Sequence, residues 1–281
     1  MKKPLKIALF SVLTLLILYL GIGLSVSRFA LKVTKYEISD PKLSQPLKIV
    51  QIADLHCTKF GEKLYRKIAA QKPDLIFVVG DLVDRSDSDI SPALEALEHL
   101  VSLAPVYVSL GNHEAEHNDQ FCSNLVEQFA QIGVTVLDRE YVDIDVNGQP
   151  LRIGGIYGYC LPASAPENRA VESRFLYDFQ ATSRYTILLS HMPVCWLINE
   201  SLDFWDVDCV LSGHTHGGQV ILPIVGGLYA PDQGWFPGEC SGHFQTDSKH
   251  LIITSGLGGT SPVPRFYNRP EIVSLTLLPE Q

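Results

Sequence analysis

From residue 47 onward, short apolar runs alternate along the chain with stretches whose apolar positions recur every third or fourth residue. Runs bounded by turn-forming residues read as strands at Leu47–Ala53, Leu75–Val79, Val106–Leu110, Thr186–Ser190, Asp208–Leu211 and Leu251–Thr254. Leu64–Gln71, Ile90–Leu103 and Asn124–Ile132 carry the i, i+3, i+4 spacing of helices packed on one face. In Tyr141–Val146, Val142, Ile144 and Val146 alternate with Asp143 and Asp145. Asn147-Gly148 then offers the residue pair that a tight reversal needs, which predicts a β-hairpin with Leu151–Ile156. Strands alternating with helices predict an α/β fold. No internal repeat or low-complexity run interrupts residues 47–281, so they read as one domain.

The amino terminus follows another pattern. After Lys2, Lys3 and Lys6, the twenty residues Ile7–Val26 hold no charge. As a helix they would span ~30 Å, the thickness of a bilayer core. Residues 1–26 are therefore expected to form one transmembrane anchor, and residues 27–46, with Pro41 and Pro46, a polar tether. A cleaved signal peptide is the alternative, with Ser25-Val26-Ser27 as its only candidate cleavage site. Positive residues flank the apolar run on both sides (Arg28, Lys32, Lys35 and Lys42 on the far one), so the side of the membrane that the domain faces is left open.

Length and composition narrow the function classes. A chain of 281 residues can bury a large core, and 46% of its residues are apolar against 19% charged. The net charge of −9 argues against nucleic-acid binding, which needs basic surface to displace counterions. The six cysteines (Cys57, Cys122, Cys160, Cys195, Cys209 and Cys240) form no CxxC pair. They are expected to be mostly buried, free thiols, which favours a reducing compartment.

Candidate chemistry gathers where strands end. Asp54-Leu55-His56 follows the first expected strand, Gly80-Asp81-Leu82-Val83-Asp84 the second and Gly111-Asn112-His113-Glu114 the third. His191 and then Gly213-His214-Thr215-His216-Gly217-Gly218 follow two later strands. In α/β sheets the carboxyl ends of strands are where ligands are bound. Two Asp, one Asn and four His make a hard-to-borderline donor set without thiolate, suited to Mn, Fe or Zn. Seven donors exceed one tetrahedral ion and suit two ions about 3.5–4 Å apart that share a carboxylate.

In this order the DxH, GDxxD, GNH, lone His and GHTHGG motifs resemble the calcineurin-like metallophosphoesterases, over residues 47 to about 220. The amino-terminal anchor, Ser212 to Gln219, and the closing Gly256-Leu257-Gly258 and Arg269-Pro270-Glu271-Ile272 further resemble a small membrane-associated bacterial phosphodiesterase branch. A more distant relative is the UDP-2,3-diacylglucosamine pyrophosphatase of the lipid A pathway. The resemblance implies a two-sheet α/β sandwich flanked by helices. It implies one metal on Asp54, His56 and His216, a second on Asn112, His191 and His214, and Asp81 bridging them. It further implies His113 as general acid or transition-state donor toward the leaving oxygen, and in-line attack on phosphorus by a metal-bridging hydroxide.

The substrate expected is a phosphodiester or a pyrophosphate, lipid-linked forms included. The rival readings are the pyrophosphatase activity itself and a non-catalytic metal-binding scaffold. Glu114 after the GNH is expected to support His113. Cys57 is read as a small buried side chain rather than a thiolate ligand, and Asp84 as a turn or outer-support residue. His99, His117, His243 and His250 are read as solvated, and Arg265 and Arg269 either as phosphate contacts or as surface ion-pairing residues. Leu228, Tyr229, Trp235 and Phe236, in the apolar loop Ile221–Pro237, are candidates for lipid contact, with packing against the sheet as the alternative.

Overall fold

Leu75–Val79 is apolar at every position, and a strand of that kind needs cover on both faces. The computed structural model, which describes residues 3–157, 170–198, 201–259 and 263–280, meets that need with four layers. One sheet runs in the order β1 (Lys32–Asp40), β16 (Glu271–Pro279), β2 (Leu47–Ile52), β3 (Leu75–Val79), β4 (Val106–Ser109) and β5 (Thr135–Leu137). The other runs β14 (Gly242–Thr246), β15 (Lys249–Ile253), β9 (Cys209–Ser212), β8 (Tyr185–Ser190), β7 (Gln149–Ile156) and β6 (Glu140–Val146).

Between the sheets, Leu75, Phe77 and Val79 pack with Leu151, Ile187, Leu189 and Leu211. The alternate residues Ile76 and Val78 face outward and are covered by α2 (Glu62–Ala69), α3 (Ser91–Val101) and α5 (Leu125–Ile132). On the far side, Leu188, Val210 and Ile253 lie under α6 (Ala170–Gln180), α7 (Val194–Ile198) and α8 (Ser201–Phe204), which bring Phe179, Trp196 and Leu202. Parallel pairing of β2, β3 and β4, and of β7, β8 and β9, points the carboxyl ends of the ligand-bearing strands within each sheet the same way.

The expected strands, helices and hairpin form with boundaries shifted by a residue or two. Asn147 and Gly148 adopt φ of 55° and 83°, the left-handed pair of the hairpin turn. The tether expected over residues 27–46 is different: Lys32–Asp40 is β1, paired in parallel with β16, and it buries Ile38. Glu271 ties the two strands together, with Lys32 at 2.9 Å and a hydrogen bond from Thr34, and it also accepts from Ser255 N at 2.6 Å.

Lys3–Phe29 is one continuous helix, α1, long and apolar enough to cross a membrane by length and composition. Tyr19, Gly23 and Ser27 share one face of it, four residues apart, and that face is packed on the domain. The Tyr19 ring lies 5.5 Å from Phe266 and 5.0 Å from Tyr267. A Cβ on Gly23 would sit 2.3 Å from the Phe266 ring, so a larger residue there would have to push that ring aside. Ser27 Oγ accepts a hydrogen bond from Asn268 N at 3.0 Å.

The expectation of free thiols is corrected at Cys195, which is disulfide-bonded. Cys57, Cys122, Cys209 and Cys240 are free, Cys122 exposed and Cys57 half-buried, while Cys160 lies outside the described residues. Two histidines expected in solvent are buried. His117 bonds Ser123 Oγ and Asp87 O, both at 2.8 Å, and His250 Nδ1 lies 2.9 Å from His243 Nε2.

Two outcomes are expected. A chain starting at Leu47 loses β1 and the burial of Ile38, worth ~1.5–3 kcal/mol by itself, and should melt at a lower temperature than one starting at Leu31. Burial and the neighbouring His243 push His250 down to about 4, while Asp208 pulls the other way, and burial lowers His243 too. The unfolded chain takes up these protons from about pH 6.5 downward and the folded chain resists, so their contribution to stability is intact above that pH and declines toward about pH 4. The melting temperature of His250→Gln should therefore fall less than that of the parent across this interval.

Candidate metal centre

Each expected ligand lies just beyond the carboxyl end of a central strand, where the chain turns sharply. Asp54 (φ 53°) and His56 (φ 46°) follow β2, Asp81 (φ 54°) follows β3, and His214 (φ 69°) and His216 (φ 48°) follow β9. Left-handed backbone at non-glycine residues is unfavourable, and such residues concentrate where side chains must be aimed at a site. Neighbouring glycines allow the turns to crowd together. A Cβ on Gly80 would lie 2.4 Å from His191 Nδ1, and one on Gly111 would lie 2.1 Å from Asp81 Oδ1. Asn112 and His113 open α4 (Asn112–Phe121), a helix missing from the expected elements because its buried residues, His113, Glu114 and His117, are all polar.

The turns bring together three overlapping groups of potential ligand atoms, each within 4.8 Å of one another: Asp54, His56 and His216; His56, Asp81 and His113; and Asp81, His191 and His214. His191 Nε2 is 3.1 Å from Asp81 Oδ2, and His56 Nε2 is 3.8 Å from the same oxygen. The His56 ring stacks on His216 at 5.1 Å and meets His113 edge-on at 4.7 Å. Backbone donors hold the carboxylates, His214 N to Asp54 Oδ1 at 2.9 Å and His113 N to Asp81 Oδ1 at 3.0 Å. His191 Nδ1 donates to Val79 O at 2.8 Å, which turns Nε2 toward Asp81.

This donor set fits divalent ions. Asp54 Oδ2, both ring nitrogens of His56, Asn112 Oδ1 and His191 Nε2 are buried without a hydrogen-bond partner, a costly arrangement for polar atoms that nothing else engages. Burial works against the charge on Asp81, yet the surrounding His191, His56 and His113 hold its carboxyl well below the usual range. Burial likewise opposes charging of His191, and Asp81 overrides it, pushing His191 up to about 10. Burial raises Asp54, and burial with His56 and Arg265 nearby pushes His216 well below the ordinary imidazole value.

Around the cluster, Glu114 does not touch His113 as expected. Its carboxylate accepts from Asp81 N at 2.8 Å, Val83 N at 3.1 Å and Gly111 N at 2.7 Å, clamping the β3 turn to the β4 turn. Burial and Asp81 push Glu114 up to about 7. Asp84 closes its own turn by accepting from Ser86 N at 3.0 Å, and its other oxygen lies 3.6 Å from His113 Nδ1. Burial and a hydrogen bond to Asp87 push Cys57 up to about 12, which keeps the thiol protonated.

Arg269 is exposed and donates to Ala30 O at 2.7 Å. Arg265 is buried, donates to Gly258 O and Ser255 O, and brings Nη2 to 3.4 Å from His216 Nδ1. Two residues outside the sequence motifs also reach the cluster. Asp232 Oδ2 is 3.1 Å from His214 Nε2, and Asn268 Nδ2 donates to His216 O at 2.6 Å. Neither belongs to one of the motifs at the ends of the expected strands, so no spacing signalled them.

Residues 47–218 match the family model described as calcineurin-like phosphoesterase. The chain belongs to that family. An uncharacterised metallophosphoesterase of Campylobacter jejuni is 32% identical over 95% of this chain and 68% of its own length. The uncharacterised metallophosphoesterase YkuE of Bacillus subtilis is 30% identical over 82% and 78%, and phosphodiesterase YaeI of Escherichia coli is 29% identical over 83% of each chain. A solved structure from Thermus thermophilus, TT1561, covers 74% of this chain and 89% of its own, with 14% identity and a TM-score of 0.46. This calcineurin-like phosphoesterase is a metal-dependent phosphoric ester hydrolase with a two-sheet α/β fold.

Replacing Glu114 by Ala leaves three backbone N–H groups without their acceptor, at roughly 1–3 kcal/mol each. Glu114→Ala should melt earlier and retain less metal after dialysis. Glu114→Gln, which keeps one acceptor oxygen, should fall between it and the parent in both melting and elemental analysis.

Proposed function

We propose that this chain is a membrane-anchored phosphodiesterase working with two divalent ions. Asp54, His56 and His216 would hold one ion and Asn112, His191 and His214 the other, with Asp81 shared. The observation that carries this reading is that the two outer groups of ligand atoms share no residue, while Asp81 and His56 meet in the group between them. When bound, such ions draw negative charge from phosphoryl oxygens and acidify water so that hydroxide is available near neutral pH.

The chain's own residues supply the rest. His113 Nδ1 accepts from Arg85 N at 3.2 Å, so the neutral ring carries its proton on Nε2 and has a donor to offer. As the bond from phosphorus to the leaving oxygen breaks, that Nε2–H donates a hydrogen bond to the leaving oxygen and stabilises its growing negative charge until water protonates it, while hydroxide from water forms the new bond to phosphorus. Asp54 and Asp81, pinned by His214 N and His113 N, keep their free oxygens directed into the cluster.

Membrane anchoring is supported by α1 and by the apolar loop expected to meet lipid. Its two short ribbons, β10 (Ile221–Leu222) with β11 (Gly226–Gly227) and β12 (Tyr229–Ala230) with β13 (Gly234–Trp235), leave Ile224, Val225, Trp235 and Phe236 exposed. Val220 bridges to Phe266, which packs on Tyr19, so the loop stands beside α1.

The test uses the full-length chain in detergent. We expect two ions per chain and Mn²⁺-dependent hydrolysis of bis-p-nitrophenyl phosphate in preference to p-nitrophenyl phosphate; one ion per chain, or a monoesterase profile, would overturn the reading. Asp81→Ala should lose both metal and turnover. His113→Ala should keep its metal and lose roughly 10²–10⁴-fold in rate.

A further inference from the structure

A groove of about 710 Å³ runs between the last two turns of α1 and the loops around the metal centre. Its volume falls in the range that holds organic ligands. Leu24 and Phe29 form the α1 side, Thr58, Lys59, Phe60 and Lys63 the opposite wall, and Leu257 to Gly259 with Pro264 and Arg265 the floor. Two features set it apart from an ordinary surface cleft. Its lining is largely apolar, yet it includes four cations, Arg28, Lys59, Lys63 and Arg265, and no carboxylate, in a chain whose net charge is −9. The deepest of these cations, Arg265, is buried, and its Nη1 has no hydrogen-bond partner.

The two ends of the groove face different surroundings. At the outer end, Leu24 and Phe29 are 45% and 64% exposed and continue the apolar surface of α1. At the inner end, Arg265 stands beside His216, one of the residues assigned to hold metal. The groove therefore connects the bilayer side of the molecule with the reacting centre.

We propose that this groove admits a membrane phospholipid sideways from the bilayer, with an acyl chain along Leu24, Phe29 and Phe60 and the phosphodiester anion moving inward past Lys59 to Arg265. The inference rests on the phosphodiesterase reading and names its substrate class. A water-soluble diester has no use for the apolar wall that opens onto α1. A single phosphodiester charge with hydrocarbon attached matches both halves of the lining, because the anion meets four cations in a wall that itself holds no Asp or Glu and the chain removes apolar surface from water. Free Nη1 on Arg265 gives the anion a buried donor at the threshold of the metal centre.

The full-length chain, reconstituted in phosphatidylethanolamine vesicles doped with a phosphatidylglycerol bearing an acyl-chain diazirine, tests the groove without relying on turnover. After photolysis, adducts are expected on residues 58–63 and 257–259 as well as on α1, and Phe60→Asp should reduce those off the helix by about tenfold, the ratio that ~1.4 kcal/mol of lost contact produces. Adducts confined to α1 would overturn the proposal. A second measurement compares bis-p-nitrophenyl phosphate in water with the p-nitrophenyl ester of phosphatidic acid in the same vesicles. Phe60→Asp and Lys59→Glu should lower lipid-diester turnover about tenfold more than soluble-diester turnover, and an equal loss on both substrates would also overturn the proposal. Adducts in the groove without hydrolysis of either diester would sink the phosphodiesterase reading and leave the groove as a lipid site.

Discussion

Everything in this molecule is arranged around the burial of two carboxylates, Asp54 and Asp81, within a few ångströms of five imidazoles. Removing such groups from water is among the most unfavourable acts a fold performs, and it is tolerated only where neighbours hold the charges in register. The neighbours here are largely backbone: His214 N and His113 N on the carboxylates, and Val79 O on His191. Placing those groups requires left-handed turns at five candidate ligand positions and glycines at points of near contact. None of this stabilises the fold by itself. The apolar layers between and outside the sheets offset it, which is why the ligands sit on the ends of fully buried strands and not on free-standing loops.

Much of this was legible in the residues. Buried strands such as Leu75–Val79 announce themselves by unbroken apolar runs, and the polar residues that interrupt each run at its end are the ones the turns collect. What escaped did so for identifiable reasons. α4 buries His113, Glu114 and His117, so it shows no apolar stripe. β1 lies at a sheet edge and alternates Lys, Thr and Glu with Val, Tyr and Ile, a pattern easily taken for linker. β16 was not among the expected strands, although Val273, Leu275 and Leu277 alternate with Ser274 and Thr276, and its pairing with both β1 and β2 joins the amino-terminal strand to the sheet. Asp232, Asn268 and the buried state of Arg265 could not be read, because each depends on a distant loop folding back onto the ligands.

Glu114 shows how a motif residue can be recognised for the wrong role. Its position after His113 suggests a partner for that ring, whereas the helix geometry turns the carboxylate back onto the amides of Asp81, Val83 and Gly111. It thereby fixes two turns from different strands in one relative position. The orientation of His113 is set instead by Arg85 N and by the proximity of Asp84.

The row of Tyr19, Gly23 and Ser27 gives α1 a status beyond that of a leash. Ser27 receives Asn268 N, and the side chain of Asn268 in turn holds the carbonyl of His216, so a single residue separates the helix from a turn of the candidate metal centre. An arbitrary apolar helix spliced in its place would match α1 in hydrophobicity but would crowd the Phe266 ring at position 23 and lack an acceptor at position 27. Membrane anchors are usually regarded as interchangeable parts, selected for hydrophobicity alone. In this protein the sequence of α1, the helix proposed as the anchor, is constrained from within, and grafting the domain onto a foreign helix changes the neighbourhood of the site and not merely its address.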